Sequence, residues 1–97
     1  MVWNQNYYVY MMCNKHNTVF YTGYTNDLSR RAYEHRSGEI DGFTKKYQLF
    51  KLVYWEHYSD EHAARRREKQ IKGLTRAKKI ALIEKENSDY DDLFDSL

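Results

Sequence analysis

Aromatic and β-branched residues crowd positions 7–12, Tyr7-Tyr8-Val9-Tyr10-Met11-Met12, and predict a strand. Asn14-Lys15-His16-Asn17 has the composition of a turn, and Thr18-Val19-Phe20-Tyr21-Thr22 predicts a second strand, so the chain opens with a hairpin. A four-residue loop sets Cys13 against Thr18 and Tyr10 directly opposite Tyr21, on the same face of the sheet. Thr25 or Asn26 can cap a helix over residues 27–36 that stops at Gly38. Leu28 and Ala32 form its buried stripe at 100° per residue, with His35 beside Leu28, Arg31 on the border and Arg30 pointing away. Residues 38–43 are loop, residues 50–58 a third strand. Ser59 can cap a helix over 60–72, ending near Gly73, with Ala63, Ala64, Ile71 and Leu74 inward and Glu68 at the edge of that arc. Thr75 caps a last helix over 76–86, with Ala77, Ile80, Ala81 and Ile83 as its apolar positions, and an acidic turn or short helix follows. The order ββαβαα predicts an α+β fold: a small three-stranded antiparallel sheet flanked by helices.

The 97 residues allow one domain, spanning 1–97 with an acidic tail from about residue 86. The formal net charge of +2 suggests little, but its distribution does. Residues 1–61 carry seven basic and seven acidic side chains, residues 62–85 nine and two, and residues 86–97 none and five. A basic block on a near-neutral domain is the footprint of a polyanion partner, although a solvated helix face balanced by an acidic tail fits the charges equally well. Mean hydropathy of −0.97 and the lack of a long apolar run argue against a membrane span. With no leader-like N-terminus and the single Cys13, the expected setting is reducing and cytoplasmic.

Several familiar chemistries have no matching pattern. There is no Gly-rich phosphate loop, no metal-ligand spacing among His57, His62 and Cys13, and no nucleophile elbow. His16, His57 and His62 read as surface or packing residues. What remains is two tyrosines on one hairpin face, a border arginine with a histidine one turn on, and one edge carboxylate inside a run of arginines. Such a set suits phosphodiester hydrolysis: a carboxylate holds a cation, a guanidinium neutralises phosphate charge, and a phenol or imidazole orients water. Each member also has an ordinary structural role, as stacked tyrosines, a Glu68 ion pair with Arg65 or Lys72, or an Arg31 stem lying over Leu28. On composition and spacing alone, plain nucleic-acid binding stands ahead of catalysis.

Tyr8-Val9-Tyr10, ten intervening residues and Tyr21-Thr22-Gly23 resemble the two-part signature of the GIY-YIG nuclease family. The likeness continues through Thr25-Asn26-Asp27-Leu28-Ser29-Arg30-Arg31, Glu34-His35 and Arg67-Glu68-Lys69-Gln70-Ile71-Lys72, and is nearest the small stand-alone bacterial branch. It implies catalytic roles for Tyr10, Tyr21, Arg31, His35, Glu68 and Asn87, with one Mg²⁺ or Mn²⁺ on Glu68. By this resemblance Tyr21 orients or deprotonates the attacking water, with or without His35. Tyr10 supports phosphate or water, and Arg31 stabilises transition-state charge. Gly-Ile-Tyr is replaced by Tyr8-Val9-Tyr10 and Tyr-Ile-Gly by Tyr21-Thr22-Gly23. The Asn-Pro-x-Trp of many relatives becomes Asn87-Ser88-Asp89-Tyr90. The implied partner is DNA, with RNA as the other candidate polyanion, contacted by Lys45, Lys46, Arg65, Arg66, Lys69, Lys72, Arg76, Lys78 and Lys79. The expected function is a DNA endonuclease working in repair or on structured DNA, with a protein partner supplying specificity. The rival readings are a nucleic-acid-binding module without catalysis, and an interaction domain whose basic block meets an acidic protein.

Overall fold

A computed structural model describes residues 5–97; the first four residues of the expected domain lie outside it. The described elements are β1 (Tyr7–Cys13), β2 (Phe20–Thr25), α1 (Leu28–Arg36), α2 (Phe43–Lys46), β3 (Lys51–Tyr58), α3 (Glu61–Lys72), α4 (Arg76–Glu84) and a terminal 3₁₀ turn (Leu93–Ser96). They form the expected α+β architecture, an antiparallel three-stranded sheet in the order β2-β1-β3. The short α2 falls where Thr44-Lys45-Lys46 carried no assignment.

Because β1 is central, Val9 through Cys13 are all buried, and alternate side chains serve two cores. Val9, Met11 and Cys13 meet Ala64 and Ile71 of α3 and Ile83 of α4. Tyr10 and Met12 meet Leu28 and Ala32 of α1 together with Leu49 and Leu52. A strand covered on both faces loses the apolar–polar alternation of a half-exposed one, which is why residues 7–12 read as a continuous run. In β3 a bulge leaves Val53 without a partner on β1, since Met11 pairs with Tyr54 but Met12 with Leu52. Leu52 therefore serves the α1 side while Val53 and Tyr54 both serve the α3 side.

The hairpin register differs from the expected one by two residues. Cys13 pairs with Phe20, Met12 with Tyr21 and Tyr10 with Gly23, so the loop holds six residues rather than four. The cause is Asn14. Its side-chain oxygen accepts from the amides of Thr18 (2.8 Å) and Val19 (3.1 Å), which holds both residues in the loop and off the ladder. A shift of two preserves side-chain parity, so Tyr10 and Tyr21 still share a face, as diagonal rather than direct neighbours.

Two helix caps also move by one or two positions. Asp27, not Thr25 or Asn26, caps α1 through Arg30 N, while the Thr25 hydroxyl accepts from Asp27 N in the turn before it. Asp60, not Ser59, caps α3 by accepting from His62 N and Ala63 N. Thr75 caps α4 as expected, at 3.2 Å from Lys78 N. That helix ends at Glu84 rather than 86. Its buried residue is Ile83, with Ile80 and Leu82 half-buried, whereas Ala77 and Ala81 are exposed. Ala63 and Leu74, expected in the core, are half-buried at its margin. The acidic terminus is stitched to the free edge of β3. Asp92 Oδ1 accepts from Leu52 N at 3.1 Å, and Leu93 and Phe94 pack on the α1-side core. Covering that edge removes a row of unpaired backbone groups.

Candidate active site

Tyr10, Tyr21 and His35 form a triangle of rings on the α1 face of the sheet. Ring centroids lie 6.3 Å apart for the two tyrosines and 5.6 Å from each tyrosine to His35. The strand brings Tyr10 inward beside Met12, and the helical spacing of Leu28, Ala32 and His35 turns the imidazole onto it. Tyr10 Oη lies 2.9 Å from His35 Nε2. Burial foremost, followed by the neighbouring Tyr21, holds the Tyr10 phenol far above its ordinary range; Arg31 opposes the shift, and Glu68 and Glu34 add to it. Burial, reinforced by the Arg31 charge, pushes His35 down to about 4. At neutral pH both groups are therefore uncharged. With Tyr10 donating, the imidazole carries its proton on Nδ1.

Gly23 makes this arrangement fit. A Cβ there would stand 2.6 Å from Tyr10 Oη and 2.9 Å from Tyr21 Cε2, too close for real atoms. The glycine of the Tyr21-Thr22-Gly23 triplet is thus a site for close side-chain approach. Tyr21 is half-buried, and its hydroxyl has no hydrogen-bond partner among the described residues.

Arg31 sits at the border of the buried stripe, and Arg30 is exposed, as the helical spacing predicted. Arg31 Nε lies 3.5 Å from Glu34 Oε1 without forming a hydrogen bond. Among the described residues, Arg31 Nε and His35 Nδ1 are the buried side-chain polar atoms that lack a partner. Unpaired buried polar atoms are rare, and both belong to this one site.

Glu68 comes from α3, which packs on the other face of the sheet, yet its charge acts on Tyr10. It is mostly buried and is the carboxylate of an open groove of about 450 Å³ lined otherwise by His62, Arg65, Arg66, Lys69 and Lys72. Lys72 Nζ lies 3.2 Å from Glu68 Oε2. No cluster of three His, Cys, Asp or Glu side chains exists among the described residues. A lone carboxylate in an open groove matches a hydrated Mg²⁺ or Mn²⁺, which keeps several waters and needs only one or two protein carboxylates plus phosphate.

The remaining expected residues divide. Asn87 is buried, but its hydrogen bonds go to Val53 O and to both Asp91 backbone groups, so it braces the β3 edge. Arg65, Arg66, Lys69 and Lys72 share the Glu68 groove, whereas Lys45 and Lys46 lie on α2. Arg76 and Lys79 line a different groove beside the hairpin, and Lys78 is exposed on α4. Arg67, adjacent to Glu68 and part of the basic block, turns inward. It makes a two-pronged pair with Glu56, Nε to Oε1 at 3.0 Å and Nη2 to Oε2 at 2.9 Å, and the Tyr54 and Tyr58 hydroxyls donate to the same carboxylate. Burial pushes Glu56 up, but the bonds from Arg67, Tyr54 and Tyr58 outweigh it and hold the carboxyl below its usual range. This network joins α3 to β3, and its one sequence signal is the period-two spacing of Tyr54, Glu56 and Tyr58.

Comparison with known proteins matches residues 6–81 to the GIY-YIG catalytic domain. The chain belongs to the GIY-YIG family. A UPF0213 protein of Natronomonas pharaonis is 40% identical over 77 residues, 79% of this chain and 89% of that one. A UPF0213 protein of Staphylococcus haemolyticus is 38% identical over 78 residues, 80% of this chain and 94% of its own. The likeness therefore reaches archaea as well as the bacteria expected from the sequence. The solution NMR structure of a UPF0213 protein from Bacillus halodurans superposes with a TM-score of 0.57 at 34% identity, covering 90% of this chain and 92% of that chain. In this GIY-YIG domain the matched segment contains the three-ring triangle, Arg31 and Glu68, while Asn87 lies beyond it. No helix among the described residues is long and apolar enough to cross a membrane.

Proposed function

We propose that this GIY-YIG protein is a divalent-metal-dependent DNA endonuclease. The observation that carries the reading is the convergence of Tyr10, Tyr21 and His35 with the unpartnered Nε of Arg31, electrostatically linked to the lone carboxylate Glu68 in a basic groove. The groove cations hold the DNA backbone. Tyr21, whose hydroxyl is uncommitted, orients the attacking water. Tyr10, uncharged and tied to His35, acts as a fixed hydrogen-bonding group rather than as a base. Arg31, whose side chain is about a third exposed, offers its guanidinium to the charge that grows on phosphate in the transition state. Glu68 would hold one Mg²⁺ or Mn²⁺, and the bound ion supplies Lewis-acid neutralisation of phosphate charge and acidifies bound water. On this reading the protein acts in the cytoplasm on structured or damaged DNA, with specificity supplied by a protein partner.

One observation favours the alternative of a nucleic-acid-binding module without catalysis. The Glu68–Lys72 pair engages the carboxylate that would hold the ion. Glu68→Ala separates the two readings. Metal-dependent cleavage should vanish while DNA affinity stays equal or rises slightly, because an anion beside phosphate has been removed. The measurement is a panel of plasmid, flap, bubble, junction and single-stranded substrates, with and without Mg²⁺ or Mn²⁺. No cleavage of any substrate by the parent protein would refute the nuclease reading, and DNA binding retained in that case would establish the binding module; cleavage that survives Glu68→Ala at full rate would refute the metal assignment.

A further inference from the structure

Outside the proposed active site, α2 and the residue that follows it display an exposed aromatic pair that belongs to neither buried core cluster. Thr44 and Leu49 anchor this short segment by burial, with Leu49 N donating to Thr44 O at 2.8 Å. Phe43 and Tyr47, one turn apart, are left on the outer face, 48% and 43% exposed. Their ring centroids are 4.8 Å apart, so they form one ridge rather than two separate apolar spots. A groove lies on each side, and Tyr47 lines both. The first, about 430 Å³, contains Arg76 and Lys79 and no carboxylate among its described lining residues. The second, about 420 Å³, contains Lys15 and Lys51 together with Arg36, whose guanidinium is shared between Asp92 at 3.8 Å and Asp95 at 3.4 Å. Lys46 Nζ stands 5.4 Å from the Tyr47 ring centre, and Lys45 faces Asp41 at 3.4 Å.

We infer that the Phe43–Tyr47 ridge is a stacking subsite for unpaired bases of single-stranded DNA, whose phosphates run in the flanking grooves. Exposed rings between cation-lined channels meet the two requirements of single-strand binding, a π-face for the base and positive charge for the backbone. A duplex presents its bases edge-on inside the stack and cannot use the ridge. The inference rests on the nuclease reading only for the identity of the polyanion. It deepens that reading by predicting a substrate with an unpaired segment.

The test is binding of the full chain in EDTA to oligothymidylate, to an abasic strand of equal length, and to a blunt duplex. Phe43→Ala with Tyr47→Ala should weaken oligothymidylate binding about tenfold or more. The abasic strand and the duplex should be largely unaffected, and Tyr47→Phe alone should bind like the parent. Phe43→Leu with Tyr47→Leu keeps the apolar bulk without the π-face and should show the same loss, which covers the case of a misfolded alanine variant. Parent-like oligothymidylate affinity in both double variants, or an equal loss on the abasic strand, would overturn the inference. If the parent cleaves DNA while the ridge variants bind normally, the ridge alone is wrong. If the parent never cleaves but the ridge variants lose oligothymidylate affinity, the nuclease reading alone is wrong.

Discussion

Tyr10 pairs with Gly23 across the β1–β2 ladder, and its phenol occupies the space that any side chain at position 23 would fill, 2.6 Å from the virtual Cβ. Gly23→Ala should therefore displace both Tyr10 and Tyr21. Overpacking of this kind costs about 1–3 kcal/mol, and a displaced catalytic group loses rate steeply. A lower melting temperature together with at least about tenfold slower cleavage is expected. Single-turnover cleavage and thermal melting of the same preparation check it, and a variant with parental rate would show that the ring triangle tolerates rearrangement.

Arg30 and Arg31 supply an internal control. Both are cations on α1, so long-range attraction for DNA treats them alike, but Arg30 is exposed and Arg31 borders the ring triangle with an unpartnered Nε. Arg31→Ala should lower cleavage by about 10²–10³ with little change in affinity, the usual effect of removing a transition-state donor. Arg31→Lys should rescue only in part, because a point charge lacks the planar fork. Arg30→Ala should leave turnover of bound DNA near the parental value. Equal effects in single-turnover assays at saturating protein would mean the two arginines act as a patch.

The basic block contains two populations of arginine. Neutralising Arg65, Arg66 and Lys69 together should weaken DNA binding and flatten its salt dependence by roughly 0.9 for each phosphate that is no longer neutralised. Arg67→Ala should leave the salt slope unchanged, because its guanidinium is spent on Glu56. It should instead destabilise the fold by about 2–3 kcal/mol, since a mostly buried carboxylate loses its charged partner. Titrations at several salt concentrations and urea melts resolve the two.

Acid stability should report on His35. Its folded pKa is lowered to about 4, whereas an exposed histidine titrates near 6.5. As pH falls through 6.5 the unfolded chain gains a proton that the native imidazole refuses, so stability declines across the window from 6.5 to 4. The full loss is about 3 kcal/mol. Glu56, held below the usual carboxylate range, adds its own loss as pH falls below about 4.5, so the stretch above pH 5 isolates His35. His35→Gln should flatten the decline between pH 6.5 and 5. An unchanged slope in melts across that range would show that His35 is not the titrating group.

Much of this molecule follows from short-range pattern. The order of the three strands and the three longer helices, the shared face of Tyr10 and Tyr21, the inward turn of His35 and the outward turn of Arg30 come from periods of two and 3.6 residues along one segment, and such periods survive a shift of register by two. The loop length did not follow, because Asn14 competes with the ladder for the amides of Thr18 and Val19 through a side-chain bond that composition does not distinguish from an ordinary turn. Caps at Asp27 and Asp60 instead of their neighbours depend on how the chain enters each helix, and several adjacent Ser, Thr, Asn and Asp residues are chemically able to serve. Long-range placement lay further out of reach. Glu68 acts on Tyr10 although α3 and α1 pack on opposite faces of the sheet, and Arg67 leaves the basic surface because Glu56, eleven residues earlier, needs a partner. Both outcomes are set by contacts between segments that no local period relates. The Phe43–Tyr47 ridge belongs with them, since its exposure depends on Thr44 and Leu49 taking the buried positions beside it.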